Sequence, residues 1–177
     1  MGLFEKLGRS ILDRSEPAIE PVPTPEDPQA VLAPVTGRLV ALGDVRDPAF
    51  SKGMLGAGVG IKPEEDVAFS PVTGTVVADV KSAHALLIKA ESGAEVLLHV
   101  GLDSVELRGA GFSQLVRRGD EVRAGSPVLR FDRGLMAERG LDDTVVVTVT
   151  NPEAFERVEP ACAGGEVKAG AVVLRTA

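Results

Sequence analysis

HALLIKAESGAEVLLHVGLDSVE, residues 84–106, is the stretch on which the reading of this chain turns. Two apolar runs, residues 85–90 and 96–100, flank Glu91-Ser92-Gly93-Ala94, which has the composition of a hairpin loop. The chain's two histidines, His84 and His99, lie one on each arm. With a four-residue loop over 91–94, Ala90 faces Glu95, Leu86 faces His99 and His84 faces Gly101. That register makes the imidazoles diagonal neighbours on one face, roughly 5.5–8 Å apart at the backbone, whereas a one-residue slip separates them onto opposite faces. Gly101, opposite His84, would leave room above the sheet for a ligand or another backbone. Paired imidazoles suit a metal, a proton relay or a phosphorylated histidine with a helper, while a lone strand histidine is most often packing. Asp103, four residues past His99, either orients a ring or simply turns the chain.

Working outward, the sequence repeats itself. Ala33-Pro34-Val35-Thr36-Gly37-Arg38-Leu39-Val40 returns as Ser70-Pro71-Val72-Thr73-Gly74-Thr75-Val76-Val77. Arg118-Gly119-Asp120-Glu121-Val122-Arg123-Ala124-Gly125-Ser126-Pro127-Val128-Leu129 returns as Gly164-Gly165-Glu166-Val167-Lys168-Ala169-Gly170-Ala171-Val172-Val173-Leu174. Both are turn-and-strand signals. Two copies of each predict an all-β fold: a duplicated antiparallel β-sandwich or flattened barrel with a few short helical turns. Residues 144–150, TVVVTVT, read as a central strand. Short helical turns are expected at 49–54, 112–118, 135–139 and 153–158.

The two segments that precede this domain differ in character. Residues 1–14 place Leu3, Phe4, Leu7, Ile11 and Leu12 at helical spacing with a basic excess, an amphipathic tail suited to an anionic membrane surface or a partner. Residues 15–30 contain Pro17, Pro21, Pro23, Pro25 and Pro28 among acidic residues and read as an extended linker, which sets the domain at 31–177.

Composition narrows the function. A net charge of −7 and a pI near 4.9 argue against nucleic acid. A single cysteine, Cys162, fits a reducing compartment, and the sequence shows neither a transmembrane-length apolar run nor a signal-peptide core, so a cytoplasmic location is expected. Glycine-rich residues 53–60 lack the Lys-Ser/Thr of a phosphate loop and read as a turn into a strand. Arg118-Gly119-Asp120 belongs to the repeated turn.

Three chemistries compete for the histidines. Zinc could draw on His84, His99 and Asp103, and the H-x-x-x-D spacing superficially resembles the M23 metallopeptidases, but those need a further H-x-H. A non-catalytic zinc-binding module of the same duplicated type is the companion alternative. The glycine hairpins resemble biotinyl and lipoyl carriers, without their lysine tripeptide. Phosphoryl transfer through histidine needs only a neutral imidazole and a neighbouring donor.

Here the residues carry a family resemblance. A-P-V-T-G, D-P-A-F-S, residues 56–63, S-P-V-T-G, S-A-H-A, the block His99–Leu107 and residues 108–112 are together similar to the glucose-family IIA component of the bacterial phosphoenolpyruvate:sugar phosphotransferase system, from about residue 29 to 175. The opening MGLFEKL also resembles stand-alone members. The resemblance implies a histidine phosphocarrier that requires no cofactor. His99 would accept phosphoryl from the phosphocarrier HPr and pass it to the cysteine of a IIB domain attached to a IIC permease. His84 would support transfer, Ser82 would hydrogen-bond within the site in place of the usual Thr, and Asp103 would lie beside it. Phe50, Val80, Leu97 and Val105 would form the docking rim. It further implies regulation of permeases or a glycerol kinase, with zinc between His84 and His99 at such an interface, and a peripheral location at the inner membrane face through residues 1–14.

Overall fold

The computed structural model describes residues 17–177, so the expectations for residues 1–14 lie outside the described residues. Among the described residues, fourteen strands build three antiparallel sheets. The largest has eight strands. In spatial order these are β13 (Glu166–Val167), β2 (Gly37–Ala41), β3 (Ala57–Pro63), β11 (Val145–Val149), β7 (Glu95–Val100), β6 (Ala85–Ala90), β5 (Gly74–Asp79) and β9 (Glu121–Val122). One three-stranded sheet joins β1 (Ala30–Leu32), β14 (Val172–Thr176) and β12 (Val158–Pro160); the other joins β4 (Val67–Phe69), β10 (Pro127–Phe131) and β8 (Phe112–Gln114).

Alternation along the strands explains the layers. Leu86, Ile88, Val96, Leu98, Val100, Val145, Val147 and Val149 pack with Val31, Ala68, Leu129, Phe131, Val173 and Leu174 of the small sheets into one core. The expected β-sandwich is what forms. Residues 144–150 supply its central strand: β11 is buried along its whole length between β3 and β7.

The duplication is structural. Leu32 N donates to Pro71 O, and Phe69 N donates to Pro34 O, so the two P-V-T-G turns exchange hydrogen bonds. Thr36 Oγ1 accepts from Ala169 N, as Thr73 Oγ1 does from Ala124 N. β13 pairs β2 through Val167↔Gly37, and β9 pairs β5 through Val122↔Gly74. At both glycines the neighbouring strand comes so close that a Cβ would stand 1.9 Å from Lys62 O or 2.0 Å from Lys89 O.

Helical expectations fared unevenly. α1 (Pro48–Ser51) starts at Asp47, whose side chain accepts from Ala49 N, and α2 (Arg133–Glu138) starts at Asp132, which accepts from Leu135 N. Residues 112–118 are not helical: Phe112–Gln114 is β8, drawn into extended form by pairing with β10. Residues 153–158 hold only the end of a 3-10 turn, Pro152–Ala154, before β12 begins.

The proline-rich segment is also not a free linker over residues 17–30. Val22 N donates to Gly125 O at 2.9 Å, and Asp27 pairs with Arg175. The chain crosses both repeated glycine turns: a Cβ on Gly125 would meet Val22 O at 2.5 Å, and one on Gly170 would meet Pro23 O at 2.4 Å. Proline fixes an extended backbone that cannot enter a sheet ladder as a regular strand, yet still lies flat against the domain.

Candidate functional site

The hairpin forms with a shorter loop than its composition suggests. Ala90 N bonds Ala94 O, and Gly93 N returns to Ala90 O, with Gly93 at φ +90°. This is a three-residue loop, Glu91-Ser92-Gly93, closed by a glycine in the left-handed region. The register is therefore one residue off the expected one: Ala85 faces His99, Leu86 faces Leu98 and Lys89 faces Glu95. His84 pairs with Val100, whose N donates to His84 O at 2.8 Å, and not with Gly101.

With this pairing a regular strand would send His84 to the core side, where Val100 lies. The imidazoles nevertheless meet. Their centroids are 4.8 Å apart at an interplanar angle of 79°. The extended backbone gives way just before β6, where Ala83 takes φ +59° and His84 lies outside the strand. His99, on β7, points away from the main core, toward the side of the sheet where α1 and a second cluster of Val45, Phe50, Leu102 and Val146 sit.

Ser82 Oγ and His84 Nδ1 are 2.7 Å apart. His84 is buried, with 8% of its surface exposed, and that burial lowers its pKa below the ordinary 6.5. His99 goes further, down to about 4: burial is the largest cause, the neighbouring His84 the next, and the Gly101 backbone and the Asp47 carboxylate oppose them. Both rings are thus neutral at physiological pH. His99 Nδ1 is buried without a well-formed hydrogen bond.

Other positions depart from the sequence reading. Asp103 is exposed and has φ +56°, opening a 3-10 turn, Ser104–Leu107, without a capping bond from its side chain. Among the described residues it hydrogen-bonds neither histidine, so the turn role holds and the ring-orienting role does not. Among carboxylates it is Asp47, the N-cap of α1, whose charge reaches His99, as the smallest of the four influences on that ring. Gly101 gives no open space: with φ +78°, a Cβ would stand 2.2 Å from Met136 Cε.

Phe50 is not on a rim. It is 2% exposed and packs its ring 5.0 Å from His99 as part of the second cluster. Leu97 is half-buried against that cluster. Val80 and Val105 are exposed, at 38% and 56%. Three exposed apolar residues went unread in the sequence: Leu115, Met54, 73% exposed, and Leu55, whose carbonyl is tied to Thr148 Oγ1 on the sheet face of His99. Phe112 was also unassigned, and its ring lies 6.4 Å from His84.

Among the described residues no three His, Cys, Asp or Glu side chains are grouped to hold a metal ion, so the His84, His99 and Asp103 ligand set is not formed. Two neutral imidazoles do suit zinc as half of a four-ligand set. No described helix is long and apolar enough to cross a membrane.

Comparison with known proteins gives this geometry its context. Residues 29–155 match the family model described as phosphoenolpyruvate-dependent sugar phosphotransferase system, EIIA 1. The chain is 35% identical over 147 residues to a glucose-specific EIIA component of Bacillus cereus, covering 83% of this chain and 89% of that one. It is 39% identical over 143 residues to a beta-glucoside-specific EIIBCA component of Dickeya chrysanthemi, covering 81% of this chain but only 22% of that longer protein. Among solved structures, the glucose permease IIA from Mycoplasma capricolum superposes with a TM-score of 0.70 at 35% identity, covering 82% of this chain and 93% of that one. On the family match, the EIIA relatives and the shared sandwich, this chain belongs to the EIIA 1 family of the phosphoenolpyruvate-dependent sugar phosphotransferase system and serves phosphotransfer in sugar uptake.

Proposed function

We propose that the chain is a histidine phosphocarrier: His99 accepts phosphoryl from phosphorylated HPr and passes it to the cysteine of a IIB domain on a sugar permease. The observation that carries this reading is the neutral histidine pair with centroids 4.8 Å apart, one ring bonded to a serine hydroxyl. EIIBCA relatives, in which A is joined to B and C, support a IIB/IIC partner.

The chemistry follows from the rings. A lowered pKa keeps the His99 lone pair available at neutral pH. Nε2 attacks phosphorus in line as the bond to the donor's histidine breaks; the reverse geometry hands phosphoryl to the IIB thiolate. When the Ser82 hydroxyl donates to His84 Nδ1, the His84 ring proton sits on Nε2 and is available to the phosphoryl oxygens. Apolar residues on the surrounding loops, Val80, Val105, Met54 and Leu55, exclude water when a partner docks and so protect the N–P bond. At a regulatory interface His84 and His99 would give zinc two nitrogen ligands, the rest coming from the partner.

Incubation with phosphoenolpyruvate, enzyme I and HPr tests the division of labour. His99→Ala is expected to take no phosphoryl; His84→Gln is expected to take it and pass it on poorly. Equal labelling of the two variants would refute the assignment.

A further inference from the structure

The two histidines meet although the strand pairing assigns them to opposite faces, and something local must correct for that. Ala85 opposite His99 fixes the parity of β6, and the backbone ladder runs on to His84, whose carbonyl accepts from Val100 N. The only departure from ordinary backbone between Val80 and His84 that carries a positive φ is Ala83, at +59°. Ala83 N closes a turn onto Val80 O at 2.9 Å. On one side of it stands Ser82 and on the other His84, bonded to each other at 2.7 Å. Behind the turn runs a second left-handed segment, Arg108 and Gly109, where a Cβ on Gly109 would lie 3.8 Å from Lys81 O and from Ser82 Cα. An alanine in the left-handed region is uncommon, because its Cβ crowds the following carbonyl. Such conformations persist where the surrounding structure holds them, and they concentrate at functional sites.

We propose that Ala83 is the positioning residue of this site: its left-handed backbone turns the chain at the start of β6 so that Ser82 folds back onto the His84 ring and holds it beside His99. Its catalytic consequence rests on the phosphocarrier reading, and its geometric content does not. The conformation, and not the methyl group, does the positioning. Glycine and asparagine adopt the left-handed region readily, whereas a β-branched side chain resists it strongly.

The test uses the full chain with Ala83→Gly, Ala83→Asn and Ala83→Val, read by NMR titration of the His99 ring and by the rate at which phosphorylated protein passes its phosphoryl to a IIB domain. In the Gly and Asn variants the His99 midpoint stays near the wild-type value and transfer stays within about twofold. In the Val variant the ring signals show the Ser82–His84 bond lost. The His99 midpoint rises toward the ordinary histidine range, and transfer falls by about 100-fold, the scale of an ångström-sized misplacement. Should Val fail to fold, Ala83→Leu, unbranched at Cβ, shows the same changes at smaller amplitude. A folded Val or Leu variant that titrates and transfers as wild type overturns the inference, as does loss of transfer in the Gly and Asn variants. The titration needs no phosphoryl donor. A wild-type chain that takes up no phosphoryl therefore overturns the phosphocarrier reading, and the titration still decides the positioning.

Discussion

The two halves of this molecule share a framework and differ in what they place on it. Matching Gly37 to Gly74 and following the ladders puts β3 in the place of β6 and β11 in the place of β7. Ala57 then corresponds to His84, and Thr148 to His99; the ladder between β11 and β7 respects the exchange, pairing Val146 with His99 and Thr148 with Leu97. In the first half the position is closed. Thr148 is fully buried and donates to Leu55 O at 2.8 Å, while a Cβ on the facing Gly58 would stand 2.0 Å from Val147 O. In the second half the same position carries an imidazole against a second imidazole. One scaffold thus supplies a sealed sheet face and a reactive one, and the difference lies in the residues at two equivalent positions and the turn that precedes β6.

If the halves are equivalent in their frame, the closest backbone approaches should be equally intolerant. Gly37→Ala and Gly74→Ala should each destabilise by about 3 kcal/mol in urea unfolding, since each new Cβ meets a carbonyl that cannot move without breaking a ladder. A large cost at one glycine and none at the other would break the equivalence.

The halves should diverge in acid. An unfolded His99 takes a proton below its ordinary 6.5, whereas the folded ring resists until about 4. Protons therefore favour the unfolded chain as pH falls between those values, and the stability His99 permits is fully present above pH 6.5 and lost toward pH 4. The loss from this ring is at most about 3 kcal/mol. His84, shifted the same way, adds to it. His99→Thr, which copies the counterpart residue, should flatten the pH dependence of the unfolding midpoint across that window. An unchanged slope would show that the ring titrates normally.

The smallest effect belongs to the sealed half. Thr148→Val keeps the shape and removes one hydrogen bond, so a loss of about 1 kcal/mol is expected, with faster hydrogen exchange in residues 53–56. No change in either would mean that the Thr148 bond does not hold that loop.

What the sequence disclosed, and what it hid, follows from the range of each interaction. The repeated P-V-T-G and glycine turns are local signals, so duplication and sandwich were legible, as was the β-branched run of β11. The hairpin register was not, because Glu91-Ser92-Gly93-Ala94 fits a three- or a four-residue loop equally well in composition, and the choice is made by Gly93 and the core. The expected register was off by one, yet the rings meet, because the chain leaves strand geometry at Ala83 and His84 lies outside β6. Phe112 joined a strand because β10 needed an edge partner, a tertiary cause. Proline content announced an extended segment at 17–30 but not that it would lie across Gly125 and Gly170. Phe50 looked like a docking residue until the second cluster showed it beneath His99.

The most direct measurement is to phosphorylate the full chain with phosphoenolpyruvate, enzyme I and HPr and to locate the phosphoryl group by phosphorus NMR and site mapping. The phosphocarrier reading predicts one acid-labile adduct on His99 Nε2. An adduct on His84 or on a serine, or none at all, would contradict it.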